Sequence, residues 1–156
     1  MLLYVNVNIY SKDIIGEMSM TDEEKIFEEL KQQYPIDQLI KFDETDIQEK
    51  LQDNTFQIIK FKELYYKELD IYEDLERKLE ALTGIRYKHY RFNQDEEWSK
   101  PEIEKYCLPA DKKIIRMKKL LKKQGVRVRF FEMCYKAFEQ QGWRMKTYTD
   151  RERHGI

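Results

Sequence analysis

Apolar residues occupy every second position near the start of the chain, between Leu3 and Tyr10. This two-residue period, with its β-branched residues, is typical of a half-buried strand. Two later segments, Phe56 to Phe61 and Ile85 to Phe92, are also short, rich in apolar or aromatic residues, and strand-like. The pattern therefore predicts strands that form a small mixed or antiparallel sheet.

Two other segments repeat apolar residues at steps of three and four, which is the period of a helix. Thr21 and Glu24 have the spacing of a capping box, and they predict a helix over 22–33. The longest helical pattern runs from Glu63 to Thr83 and stops before Gly84, a residue type common just past a helix end. We expect an α+β fold in which this long helix covers the sheet.

The apolar stripe of the 63–83 helix has two interpretations. Its apolar residues recur from Tyr65 to Leu82 at helical spacing, as they do on a helix face that packs on its own core. The same stripe would also serve as the contact of a homodimer. Core packing is the favoured interpretation, and the homodimer is the alternative.

The C-terminal third of the sequence predicts a helix that is interrupted twice. A firm helical pattern from Ala110 to Gln124 ends at Gly125, and a similar phrase, Gly followed by alternating apolar and basic residues, begins at Gly142. We expect each Gly to be followed by a strand, with Phe131 to Gln141 as the helix between them. A helix-turn-helix that pivots at Gly125 is the alternative.

Composition limits the classes of function. The chain has 156 residues, of which 41% are hydrophobic and 38% charged, as in one small globular unit with its own core. Its five glycines are too scattered for a phosphate-binding loop, and its two cysteines lack metal-site or redox spacing. No apolar run is long enough to span a membrane. We expect reduced thiols, a cytoplasmic setting, and no cofactor, metal or membrane partner.

Charge is distributed unevenly along the chain. Residues 1–98 hold 23 acidic and 13 basic residues, a net charge of -10, whereas residues 99–156 hold 7 and 16, a net charge of +9. This division predicts an acidic α+β part and a basic, mainly helical part within one compact unit. Such asymmetry indicates that the basic part binds a polyanion, or that the two parts neutralise each other.

The most basic segment lies in the predicted C-terminal helix. Positions 112 to 129 carry nine basic residues and no acidic one, although like charges at this spacing repel each other. Helical projection places Ile114, Met117, Leu120 and Leu121 on one face and the cations opposite, as expected for a phosphate-binding face. Trp143 and Tyr148 would extend it by base stacking. The candidate contacts are Lys112, Lys113, Arg116, Lys119, Lys122, Lys123, Arg127, Arg129, Arg144 and Lys146.

These features predict a non-enzymatic protein that binds nucleic acid, or a nuclease or polymerase, through its basic helix. The abundance of Lys, Ile, Glu, Tyr and Asn is typical of low-GC bacteria and their phages or plasmids, so we expect a protein of a mobile element. Inhibition or regulation of a nucleic-acid enzyme, for example as an anti-defence inhibitor, would be the outcome. A carboxylate row at Asp70, Glu73 and Asp74 fits such an inhibitor, because it would imitate phosphates.

The alternative from another class is a metal-independent ribonuclease. If residues 85–92 form a strand, Tyr87, His89 and Arg91 point to one face. A histidine would then move the 2′-hydroxyl proton while an arginine stabilises the charged phosphorane. The chain has only two histidines, however, and metal-free cleavage usually needs a second acid–base partner. We therefore favour binding over catalysis.

Overall fold

The computed structural model describes residues 20–92 and 97–155, and every element in these ranges is helical. Helices α3 and α6, of 46 and 43 residues, lie antiparallel and form a hairpin that is roughly 65 Å long. The elements in chain order are α1 (Asp22–Gln33), α2 (Ile36–Leu39), α3 (Ile47–Phe92), α4 (Lys100–Glu102), a π-helical turn (Ile103–Cys107), α5 (Leu108–Ala110) and α6 (Lys112–His154).

A seam with a seven-residue repeat holds α3 against α6. On α3, buried or half-buried residues alternate at steps of four and three from Ile47 to Arg86, and on α6 they do so from Ile114 to Thr149. Such spacing keeps one face of each helix directed at its partner along the whole length of a two-helix coiled coil. The packed centre of the seam is aromatic, with the Phe61 and Phe138 rings stacked at a centroid distance of 5.4 Å.

Polar residues interrupt this seam at three levels and find partners across it. Near one end, the Asn54 side-chain amide donates to the Phe138 carbonyl at 2.8 Å and to Gln141 Oε1 at 3.0 Å. Near the middle, Glu68 accepts from Gln124 and Arg127. At the other end, Arg86 pairs with Asp111. Because a shift of register would leave these buried groups without partners, they fix how α3 and α6 align.

Helix α1 covers one side of α6 and completes the core. The predicted capping box is confirmed, since the Thr21 hydroxyl accepts from the Glu24 amide while the Glu24 carboxylate accepts from the Thr21 amide. Past the end of α1, the Tyr34 ring packs edge-on against Phe61 and Phe131. The buried cluster consists of Leu30, Ile36, Phe61, Phe130, Phe131, Cys134 and Phe138.

The predicted α+β fold is wrong, because the described residues contain no strand. Segments 56–61 and 85–92 both belong to α3, which also passes through Gly84 instead of ending there. Neither the strands after Gly125 and Gly142 nor the pivot at Gly125 forms, because α6 continues through both glycines. The predicted strand between Leu3 and Tyr10 lies outside the described residues.

The stripe of the 63–83 helix is used within the chain. Tyr65 lies edge-on to Tyr135 of α6, with ring centroids 5.4 Å apart, and Leu75, Leu79 and Leu82 continue the half-buried seam. Core packing is therefore confirmed for this face. A homodimer through the same helix stays a prediction.

Candidate nucleic-acid interface

The basic half of α6 begins at a strongly held N-cap. Asp111 accepts hydrogen bonds from the amides of Lys113 and Ile114, and its other oxygen accepts from Arg86 Nε at 2.6 Å and from the Tyr90 hydroxyl at 2.9 Å. Burial alone would raise the pKa of Asp111, but these donors outweigh it and lower the pKa to about 2. The start of α6 is thereby fixed against the end of α3.

Four of the predicted cations form an exposed strip at this end of α6. Lys112, Lys113, Arg116 and Lys119, hereafter the basic strip, are all exposed and fall within about 120° of the helix circumference. None of the four makes an ion pair with a carboxylate in residues 20–92 or 97–155. Ile114 is buried and Met117 half-buried on the opposite side, as predicted, whereas Leu120 is 52% exposed.

Three other predicted cations are neutralised within the molecule. Lys122 Nζ lies 3.5 Å from Glu23, and Lys123 Nζ lies 2.8 Å from Asp22 at the start of α1. The hydrogen bond from Lys123 and its charge lower the pKa of Asp22. The alternative interpretation of the basic segment, neutralisation by the acidic part of the chain, therefore holds for Lys122 and Lys123.

Arg127 is neutralised at the edge of the α3–α6 seam. Its guanidinium binds both carboxylate oxygens of Glu68, at 3.0 and 3.1 Å, and Gln124 donates to the same carboxylate. Burial would raise the pKa of Glu68, but the hydrogen bonds from Arg127 and Gln124 outweigh it and lower the pKa. Arg129 is exposed and lines a groove with Tyr72 and Leu121.

The remaining predicted contacts lie at the opposite end of the hairpin. Arg144 is 32 residues beyond Lys112, which is about 48 Å along a helix. It shares a groove of about 340 Å³ with Trp143, Tyr148 and Phe42, while Lys146 lines the groove on the other side of Trp143. The Tyr148 hydroxyl donates to Glu152 at 3.3 Å, and a hydrogen bond to Glu44 is the main cause that raises its pKa. This aromatic surface does not extend the basic strip as predicted.

The connector between the long helices adds cations to this surface that the sequence pattern does not predict. Arg91 Nη1 donates to the Trp98 carbonyl at 2.6 Å, and the π-helical turn packs on α3, so the connector lies over the end of α3. We define the hairpin tip as residues 88–92 and 97–116 together with Lys119. Beyond the basic strip, it carries Lys88, Arg91, Lys100 and Lys105, together with the exposed carboxylates Glu97, Glu102 and Glu104. The sequence signal is the mixture of basic and aromatic residues over 86–92, together with the neighbouring pair Lys105 and Tyr106.

The tip also bears on the ribonuclease alternative. Tyr87, His89 and Arg91 lie on a helix, where His89 projects about 200° away from each of the other two. Its ring instead lies edge-on to Tyr90. The strand face on which that mechanism depended is absent from the described residues, so the three side chains do not share a face. Among those residues no three His, Cys, Asp or Glu side chains gather as a metal site.

The described helices also include none that is long and apolar enough to cross a membrane. Cys134 lies fully buried in the aromatic core, where burial raises the pKa of its thiol to about 12. Both cysteines of the described chain are free, as predicted.

Comparison with known proteins gives the family. Residues 29–155 match the family described as "Recombination, repair and ssDNA binding protein UvsY". The chain belongs to the UvsY family. The crystal structure of the bacteriophage T4 recombination mediator protein UvsY has the same fold, with a TM-score of 0.69 at 18% identity over 83% of this chain and 98% of that chain. The comparison with curated proteins found no match.

Membership of the UvsY family supports the coarser part of the functional prediction. The expected class, a nucleic-acid-binding protein of a phage or other mobile element, is confirmed at the level of the family description and of the matching phage structure. The helical fold of the UvsY match agrees with the correction of the predicted sheet.

Proposed function

We propose that this protein binds single-stranded DNA through the basic strip at the hairpin tip and acts in recombination or repair. The observation that carries the proposal is that Lys112, Lys113, Arg116 and Lys119 are exposed and without ion pairs in the described structure. Like charges at this spacing destabilise a helix, and phosphates would relieve that repulsion. The family description supplies the kind of nucleic acid.

The binding free energy in this proposal comes from phosphate neutralisation. Each phosphate that a lysine or arginine neutralises on a single strand releases counterions, so log affinity falls with log salt by about 0.7 per contact. Cations already paired with carboxylates, such as Lys123 with Asp22, release fewer counterions because their charge is partly cancelled. The basic strip is thus expected to dominate the salt dependence.

The test is a salt titration of a fluorescent 15-nucleotide oligo-dT with the wild type and a Lys112→Glu/Arg116→Glu variant. We expect the variant to bind at least tenfold more weakly at low salt, with a slope smaller by about 1.4 for two lost contacts. The matched control is Arg77→Glu/Lys78→Glu, which makes the same change of charge on exposed residues of α3 that already pair with Asp74.

A folded Lys112→Glu/Arg116→Glu variant with unchanged affinity and slope would refute the assignment of this surface. A wild-type protein that binds no oligo-dT at low salt would refute single-stranded DNA binding altogether. Circular dichroism establishes that both variants keep their helix content. Regulation or inhibition of a nucleic-acid enzyme, a cytoplasmic location and a homodimer stay predictions beyond this test.

A further inference from the structure

Two aromatic side chains at the hairpin tip are more exposed than the packing of the tip requires. Phe92, the last residue of α3, is 74% exposed, and Tyr106 in the π-helical turn is 57% exposed. We propose that Tyr106 and Phe92 stack on bases of the bound strand, so that the tip contacts both bases and phosphates. This inference rests on the proposed binding of single-stranded DNA.

The fold brings both rings to the same end of the molecule as the basic strip. The Arg86–Asp111 pair ties the last turns of α3 to the N-cap of α6. The π-helical turn packs against α3 and runs through α5 into that same N-cap. Phe92 and Tyr106 therefore lie on the two segments that flank the first turn of α6, where Lys112 and Lys113 are exposed.

Neither ring is needed for the packing of the tip. Ile103 anchors the π-helical turn and is completely buried, and Leu108 is half-buried, whereas Tyr106 projects outward. The wider π-helical turn changes the angle between Ile103 and Tyr106 from that of an α-helix, and such turns occur often at functional sites. Lys105 Nζ lies 5.2 Å from the Tyr106 ring centroid. A lysine that can bind a phosphate therefore lies next to an aromatic ring on which a base can stack.

Charge favours the tip over the other exposed aromatic surface. Trp143 is 75% exposed, but in its groove the Tyr148 hydroxyl donates to the Glu152 carboxylate, and Glu44 raises the pKa of Tyr148. A strand that stacked on Trp143 would meet Arg144 and Lys146, but it would also bring its phosphates close to those two carboxylates. Among the described residues of the tip, Lys105 and the basic strip outnumber the exposed carboxylates Glu97, Glu102 and Glu104.

Stacking and phosphate binding differ in what they recognise, and this difference supplies the test. Base stacking on an aromatic ring strengthens binding by roughly 5- to 150-fold for each base, and it is lost when the base is absent. Counterion release depends only on the phosphates. We therefore compare 15-nucleotide oligo-dT with an abasic oligonucleotide that has the same number of phosphates.

We expect the wild type to bind oligo-dT at least fivefold more tightly than the abasic strand. In a Phe92→Ala/Tyr106→Ala variant the affinity for oligo-dT falls to that for the abasic strand, while the abasic affinity and both salt slopes stay unchanged. Tyr106→Phe retains the preference, because stacking needs the ring and not the hydroxyl. The matched control is Tyr66→Ala, which removes a tyrosine that is 59% exposed in the middle of α3.

The two tryptophans report where the strand binds. Trp98 lies at the hairpin tip and Trp143 at the far end of α6, and they are the chain's two tryptophans. Oligo-dT is expected to quench the fluorescence of a Trp143→Phe variant, which retains Trp98, by more than that of a Trp98→Phe variant. The abasic strand is expected to change the Trp98 signal less than oligo-dT does.

Three results would overturn the inference. Equal wild-type affinity for the two strands would exclude base stacking while the proposed function stands. An equal loss of affinity in Tyr66→Ala would show that the effect does not belong to the tip. Absence of binding to both strands would overturn this inference together with the proposed function.

Discussion

Gly142 lies where α6 packs tightly against Asn54 of α3. A Cβ atom on Gly142 would lie 2.7 Å from Asn54 Oδ1, and the Asn54 amide is held by hydrogen bonds to Phe138 and Gln141. At this position glycine allows two helices to touch, whereas the sequence pattern was interpreted as a helix end. Glycine is common both at helix ends and where two helices pack closely, because it has no Cβ atom. The sequence alone does not distinguish these two roles.

Replacing glycine by alanine at two positions should have opposite effects. Gly142→Ala is expected to destabilise the fold by about 1–3 kcal/mol, because the added methyl group must displace Asn54 from its buried hydrogen bonds. Gly84→Ala is expected to stabilise it by about 0.5–1 kcal/mol, since Gly84 lies inside α3 with open space around it. Urea unfolding followed by circular dichroism measures both changes. A stable Gly142→Ala variant would mean that α3 and α6 do not meet this closely.

Buried polar residues explain other differences between prediction and structure. Asn54, Glu68 and Gln124 occupy seam positions where apolar residues are expected, and each interrupts the apolar period along the sequence. Their hydrogen-bond partners lie 56 to 87 residues away along the chain. A pattern that depends on near neighbours therefore divides α3 and α6 into short pieces, of which 63–83 in α3 and 131–141 in α6 are correctly predicted as helical.

At the scale of the element, α6 shows which features of its sequence predict the structure correctly and which do not. The alternation of Val and Arg over 126–129 favoured a strand, but Val126 is buried near α1 and Val128 faces α3, so α6 is apolar on two sides. A helix covered by two neighbours loses its single apolar stripe, and its sequence then imitates the period of a strand. The exposed cations Lys112 to Lys119 were predictable because solvent-facing charges need no distant partner.

The N-cap of α6 gives a prediction about acid stability. In the folded protein the pKa of Asp111 is lowered from its ordinary value of 3.8 to about 2. The ionised carboxylate therefore stabilises the fold at pH values above 3.8, and this stabilisation is lost as the pH falls toward 2. The difference corresponds to about 2 kcal/mol in the free energy of unfolding. Asp111→Asn should remove this contribution at pH 7 while the asparagine still caps the helix.

The measurement is the free energy of unfolding in urea between pH 2 and pH 7. Wild type should lose more stability than Asp111→Asn as the pH falls from 4 to 2. Asp150→Asn, which removes an exposed carboxylate near the other end of α6, is the control and should follow the wild-type curve. Parallel curves for wild type and Asp111→Asn would contradict the role of the Arg86–Asp111 pair.

At the scale of the whole molecule, opposite charges meet in one place and remain separate in another. The acidic first turn of α1 forms ion pairs with Lys122 and Lys123, whereas in the described structure it forms none with the basic strip. Internal neutralisation thus accounts for Lys122 and Lys123, whereas the cations of the basic strip stay exposed on the same helix. The place where α1 begins along α6 decides which lysines are paired and which stay exposed. That place follows from the packing of Phe27 on Phe130.

The start of α1 should therefore limit how many cations reach a bound strand. In an Asp22→Asn/Glu23→Gln variant, Lys122 and Lys123 lose their partners and Lys119 loses a nearby charge, since it helps to lower the pKa of Asp22. We expect tighter binding of oligo-dT at low salt and a slope larger by up to about 1.4, because two lysines become available to phosphates.

A matched variant separates this local effect from a change in net charge. Glu29→Gln/Asp37→Asn removes two exposed carboxylates that lie on α1 and α2 but make no ion pair with α6 in the described structure. It should change the slope by much less than Asp22→Asn/Glu23→Gln. Thr21 still caps α1 in both variants, so their thermal unfolding should remain close to that of the wild type. Equal slopes for the two variants would mean that net charge, and not the position of the carboxylates against Lys122 and Lys123, controls binding.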